Sequence, residues 1–241
     1  LIGKEYADGI AFCNAYLTAV KDNNTGSSNS GGSSSRGNGG TSKGSVITPL
    51  DTNTTPERVE IPFDDIEGVD WASEAILALS DKNIINGKEP KKFKPNDNIT
   101  REEFAKIIVG ALGYTSETYT ENVFADVDES DWFCDWVNTA YKKGILKGVG
   151  NGLFGAGENI SRQDMCVMIV NALKIKGIDV TAKEAPFDDY NSIDDYAKQS
   201  VGILFELKVI NGIGENRFGP LENATRAQAA KMIYLVLDKL V

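Results

Sequence analysis

The stretch Ile99-Thr100-Arg101-Glu102-Glu103-Phe104 decides the reading of this chain, because it is written three times. It returns as Ile160-Ser161-Arg162-Gln163-Asp164-Met165 and as Ala224-Thr225-Arg226-Ala227-Gln228-Ala229. A hydroxyl residue and, three places later, an acid or amide hold the N-cap and N3 places of a capping box, although Asp164 is shorter than the usual Glu or Gln. An apolar helical face follows each copy: Phe104, Ile107, Ile108, Ala111 and Leu112 answer to Met165, Met168, Ile169, Ala172 and Leu173. The third set is Ala229, Met232, Ile233, Val236 and Leu237, at the same helical spacing.

Working outward, an aromatic residue stands at Trp71, Trp132 and Tyr196, and a glycine sixteen residues on at Gly87, Gly148 and Gly212. A phenylalanine follows six further at Phe93, Phe154 and Phe218, and Phe63-Asp64-Asp65, Phe124-Ala125-Asp126 and Phe187-Asp188-Asp189 begin the units. The period is about 61–64 residues, which marks an internal repeat. Each unit reads as helix, loop, helix. Asp70, Asp131 and Asp195 are expected to cap the first helix. Asn83 and Gly144 suit a left-handed residue at its end, and Lys208 suits it less well. Three short two-helix units cannot each hold a core, but three packed together can. The expected fold class is all-α, with units over 59–122, 123–185 and 186–241.

Before them, residues 1–20 place Ile2, Tyr6, Ile10, Cys13, Leu17 and Val20 on one face of a helix, expected to be the tail of an upstream region or else to pack on the repeats. Residues 21–58 read as a disordered linker, since fifteen of the twenty residues from 26 to 45 are Gly or Ser. Those twenty would span ~25 Å as a flexible coil.

Composition excludes much chemistry. The 241 residues contain no histidine, which removes Ser-His-Asp triads, HExxH zinc sites and histidine switches together. Cys13, Cys134 and Cys166 lack metal-ligand spacing and read as small buried apolar residues. The net charge of −10, carried by residues 59–241, argues against nucleic acid and anionic membranes as partners. No apolar run reaches the roughly 18–20 residues of a membrane span. Asp126-x-Asp128-x-x-Asp131 lacks the loop length, central Gly and terminal Glu of a calcium hand. No cofactor, metal or catalytic pair is expected.

Phe-Asp-Asp, Asp-Trp-Ala, Ile-Asn-Gly, Phe-Lys-Pro and Ile-Thr-Arg-Glu-Glu-Phe-Ala, in that order from Phe63 to Ala105, resemble an S-layer homology (SLH) repeat. The resemblance covers residues 61–240. It implies a pseudo-threefold arrangement with a central three-helix bundle and three prongs. It also implies grooves that hold a secondary cell-wall polysaccharide bearing pyruvylated N-acetylmannosamine, so that the chain anchors an upstream cargo domain to the bacterial wall or S-layer without a covalent bond. Arg101, Arg162 and Arg226 would receive the pyruvate carboxylate, each as a forked cation beside unpaired first-turn N–H groups. The alternative is that each merely pairs with a nearby acid. Gly87, Gly148 and Gly212 would let backbone approach a sugar, or simply permit a left-handed turn. Trp71 and Trp132, with Tyr196, suit either sugar stacking or packing at the bundle edge. A self-assembling S-layer component, or the anchor of a surface hydrolase, stand as competing functions.

Overall fold

The computed structural model describes residues 62–117, 123–179 and 181–241. The helix expected over 1–20 and the linker expected over 21–58 lie outside the described residues. Among those described there are six α-helices: α1 Asp70–Asp81, α2 Arg101–Ala111, α3 Cys134–Lys142, α4 Arg162–Ile175, α5 Asp195–Glu206 and α6 Arg226–Leu240. No strand accompanies them, only isolated bridges. The all-α reading holds.

Three of these helices begin where the repeated motif says. Thr100 and Thr225 form complete capping boxes with Glu103 and Gln228. Ser161 accepts from the Asp164 N–H at 3.2 Å, but Asp164 does not reach back to the cap. Its side chain is one methylene short, and it turns to other partners described below. The three first helices start differently from expectation. Asp70 and Asp195 are already helical, behind Val69 and Asp194, neither of which makes a side-chain cap bond. Asp131 closes a turn by accepting from the Asp128 N–H at 2.8 Å, and α3 starts only at Cys134. Asp70 and Asp195 favour their helices by charge in the first turn, not by capping.

The first helices end as expected, on left-handed residues Asn83, Gly144 and Lys208, with φ of 55°, 79° and 58°. The following N–H groups of Ile84, Ile145 and Val209 reach back to the carbonyls of Leu79, Ala140 and Leu204 at 2.8–2.9 Å, which satisfies the last turn. Lys208 adopts the conformation despite its Cβ, at a cost of about 1–2 kcal/mol.

Helices α2, α4 and α6 meet in the middle, and their apolar faces, read above, are all buried. At their N-terminal ends a three-membered ring of backbone hydrogen bonds closes the bundle. Ile99 donates to Ala224, Ala224 to Ile160 and Ile160 to Ile99, at 2.9–3.0 Å. Each first helix then packs on the central helix of the preceding repeat: α1 on α6, α3 on α2 and α5 on α4. Gln163 of α4 fixes one such pair, donating to Asp194 at 2.6 Å and accepting from its N–H at 3.1 Å. No unit is therefore complete without its neighbour.

Cys134 and Cys166 are buried and in no disulfide among the described residues, in keeping with small apolar side chains, and burial pushes the Cys166 thiol up to about 12. Cys13 lies outside the described residues. Removing a cap should cost about 1 kcal/mol. Thr225→Ala and Ser161→Ala are each expected to lower stability by about that amount in urea unfolding, with little change in the slope of the transition.

Candidate functional site

The three arginines are the first residues of α2, α4 and α6, and all three are buried, at 6%, 5% and 4% exposure for Arg101, Arg162 and Arg226. Each reaches across to the next repeat. The Nε of Arg101, Arg162 and Arg226 donates to the carbonyl of Phe154, Phe218 and Phe93 at 3.0, 2.8 and 3.0 Å. The guanidinium also lies over the ring of the same phenylalanine, at 5.4, 5.0 and 4.7 Å. Most of the first-turn N–H groups expected to be unpaired already have a partner. Arg101, Arg162 and Arg226 donate their own N–H to the carbonyls of Glu158, Glu222 and Asp97, and Gln163 and Ala227 donate to those of Pro220 and Pro95. The loop of the next repeat takes the place that the sequence left open for an anion. Only the outer Nη edge of each guanidinium remains for other work.

The phenylalanine on which each arginine rests is itself held by the aspartate that ends the first motif of its own repeat. Asp65 accepts from the N–H of Phe93 and Lys94 at 2.8 Å each. Asp126 accepts from Phe154, Gly155 and Ala156 at 2.7–3.0 Å, and Asp189 from Phe218 and Gly219 at 2.8 Å. Burial pushes the Asp126 and Asp189 carboxyls up, but the N–H groups that bind them outweigh it, and both lie below the usual value of 3.8. The phenylalanine rings are fully buried against Phe63, Phe124 and Phe187. Carboxylate, N–H, carbonyl and guanidinium thus run in series through each loop.

Gly87, Gly148 and Gly212 are required by that loop. A Cβ at Gly87 would stand 2.6 Å from the Lys92 carbonyl, one at Gly148 would overlap the Leu153 carbonyl, and one at Gly212 would stand 2.5 Å from that of Arg217. Only Gly212 has a left-handed φ, +87°. Close packing of backbone on backbone, more than turn conformation, keeps a side chain out at the first two. Trp71, Trp132 and Tyr196 are 52%, 58% and 58% exposed, so each leaves about half of its surface open to the solvent.

The cyclic packing assembles these residues into grooves, each drawing on all three repeats. One groove, of about 530 Å³, has Arg101 from the first repeat, Gly148 and Asp164 from the second and Tyr196 from the third. Another, of about 500 Å³, has Arg162 from the second, Gly212 and Gln228 from the third and Trp71 from the first. By the same rule Arg226 belongs with Gly87, Glu103 and Trp132. Arg226 Nη2 donates to the carbonyl of Asn86, beside Gly87, at 2.6 Å, and its Nη1 lies 3.9 Å from Glu103. Lys106 stands 5.6 Å from the centre of the Trp132 ring. In the first groove Arg101 Nη1 pairs with Asp164 at 3.2 Å, and the Tyr196 hydroxyl donates to the other oxygen of Asp164 at 2.7 Å. That contact and burial together raise the Tyr196 phenol well above its usual value, burial contributing most.

A forked cation, a close-packed backbone loop and an exposed ring in one concave surface suit an anionic sugar. Asp128 and Asp131 are occupied in their own turn, Asp128 accepting from the N–H and hydroxyl of Ser130 at 2.9 and 2.6 Å. No cluster of three or more metal-ligating side chains occurs among the described residues.

A sequence model described as the S-layer homology domain matches residues 62–105, 123–166 and 186–230, together more than half the chain. The chain belongs to the S-layer homology domain family. It is 34% identical over 183 residues to an amylopullulanase of Thermoanaerobacterium thermosulfurigenes, covering 73% of this chain and 10% of that one. It is 33% identical over 185 residues to the exoglucanase XynX of Acetivibrio thermocellus, covering 74% and 16%. With an S-layer protein of Bacillus thuringiensis subsp. finitimus the identity is 27% over 173 residues, covering 71% and 21%. The chain therefore spans roughly a tenth to a fifth of the length of these curated relatives. Its place is the bacterial cell surface, at the wall or S-layer. No helix among the described residues is long and apolar enough to cross a membrane.

Sequence reading named the arginines, glycines and aromatic residues that line these grooves but passed over two further groups. The clamping aspartates were visible as a repeated motif, yet their partners lie 28–30 residues away. The N3 residues Glu103, Asp164 and Gln228 were read only as caps, although each belongs with the arginine of the preceding repeat. Because the folded Asp126 carboxyl is depressed, its contribution is complete above its unfolded value and is lost as pH falls through the folded one. Asp126→Asn should therefore unfold at lower urea than the parent at pH 7, with the gap narrowing below about pH 4. A gap that stayed constant from pH 7 to pH 3 would contradict the clamp.

Proposed function

We propose that this chain is a non-catalytic anchor whose grooves bind a secondary cell-wall polysaccharide carrying a pyruvylated amino sugar. The observation that carries the reading is the repeated pairing of a buried guanidinium with an exposed aromatic ring across a groove shared by three repeats. The pyruvate ketal is a carboxylate held on a sugar ring. Its two oxygens match the remaining edge of a guanidinium, and the apolar face of the sugar suits Trp71, Trp132 or Tyr196. The net charge of −10 does not oppose this, because salt screens charges beyond about 8 Å while the contact is made at hydrogen-bond range.

The amylopullulanase and exoglucanase among the relatives, beside the S-layer protein, support a module that serves several cargoes. We read the chain accordingly as the anchoring part of a longer surface protein, with the cargo upstream and no catalytic step of its own. The whole chain should co-sediment with native sacculi and remain in solution with sacculi stripped of pyruvylated polymer. Equal binding to both preparations would overturn the reading.

A further inference from the structure

The three grooves are alike in plan but differ at one position, the N3 residue of the central helix in the repeat after each arginine. It is Asp164 beside Arg101, Glu103 beside Arg226, and Gln228 in the groove of Arg162. We infer that the chain binds an anionic sugar principally in the Arg162 groove, where Gln228 leaves the guanidinium without an internal carboxylate, and that Asp164 and Glu103 are resident anions that hold the other two grooves closed to a ligand carboxylate. The inference rests on the polysaccharide reading above.

Arg162 is 95% buried by its 5% exposure, and its Nε is bound to Phe218, yet Nη1 and Nη2 have no hydrogen-bond partner among the described residues. The two acids nearest in influence are engaged elsewhere. Glu222 pairs with Arg217 at 2.9 Å, and Asp189 binds the N–H groups of Phe218 and Gly219. No carboxylate lines the groove, which holds Lys231 as a second cation and the half-exposed ring of Trp71. With its Nε fixed and its plane against the Phe218 ring, the guanidinium presents to the groove two outer nitrogens that no protein group among the described residues answers, an edge that fits a carboxylate bidentately.

The Arg101 groove shows the contrast. It also holds two lysines, Lys147 and Lys174, so overall charge does not separate the grooves. The difference is in the fork. Asp164 already occupies Arg101 Nη1 and is held there by the Tyr196 hydroxyl. Lysines attract an anion but are strongly hydrated point charges without a bidentate edge. In the third groove Nη2 of Arg226 is taken by the Asn86 carbonyl, and Glu103 lies between Nη1 and Lys88 at 3.9 Å from each. An incoming carboxylate would have to displace a resident one or lie against it, and like charges in contact are strongly unfavourable. The cap does not impose this pattern, since Gln228 completes a capping box as well as Glu103 does.

Calorimetric titration of the whole chain with a pyruvylated N-acetylmannosamine glycoside, with the unpyruvylated glycoside as control, tests the assignment. Wall polysaccharide released from sacculi serves as a second probe. Near one dominant site per chain is expected. Gln228→Glu, which keeps the capping box and so the fold, should weaken it by at least about tenfold, while Asp164→Asn and Glu103→Gln should each add a second site. Pyruvate-dependent binding that Gln228→Glu leaves unchanged, or that Asp164→Asn weakens, would overturn the groove assignment alone. Absence of binding to both probes, with none to native sacculi, would overturn the polysaccharide reading and this inference with it.

Discussion

Everything in this structure depends on a buried arginine that leaves its own repeat and ties itself to the next. Its Nε meets a phenylalanine carbonyl and its plane covers the same ring, three times around the bundle. A cation in the first turn of a helix works against the helix dipole. Here the compensation comes from a fixed carbonyl and an aromatic face, the second of which attracts cations in its own right. The neighbouring loop simultaneously takes five of the six N–H groups at the first two helical positions, so that it answers both the cation and most of the open donors of the helix start. Binding chemistry is left with the outer edge of the guanidinium only.

That arrangement makes the loop the mechanical centre of each repeat. The aspartate clamps it from one side, the arginine from the other, and a glycine lets it fold back on itself without room for a Cβ. A site built from such parts is held in place before any ligand arrives, which limits the ordering cost of binding. The groove walls come from three repeats, so the correct assembly of the bundle and the existence of the grooves are one event. Small changes at the N3 position can then tune a groove without disturbing the bundle, because acid and amide serve the cap equally well.

Much of this was legible from sequence. The capping boxes at Thr100 and Thr225, the shortfall at Asp164, the left-handed ends at Asn83, Gly144 and Lys208 and the buried faces of α2, α4 and α6 are all local. Each follows from residues three or four apart, or from one backbone conformation. The expected caps at Asp70, Asp131 and Asp195 failed for a local reason too. A carboxylate just before an aromatic residue can serve as N-cap, as first-turn residue or as a turn acceptor, and the sequence pattern does not separate the three.

By itself the sequence determined three repeats, their helices, the residues that start the central helices and stop the first ones, and the family to which they belong. Only the tertiary structure decided which repeat each residue serves. Arg101, Arg162 and Arg226 meet partners 53, 56 and 133 positions away, and each first helix packs on the central helix of the repeat before it. Identical periodicity would fit packing within a repeat equally well. Ring closure at Ile99, Ile160 and Ala224 selects the cyclic solution. It is that closure which turns a cap residue of one repeat into the neighbour of another repeat's arginine.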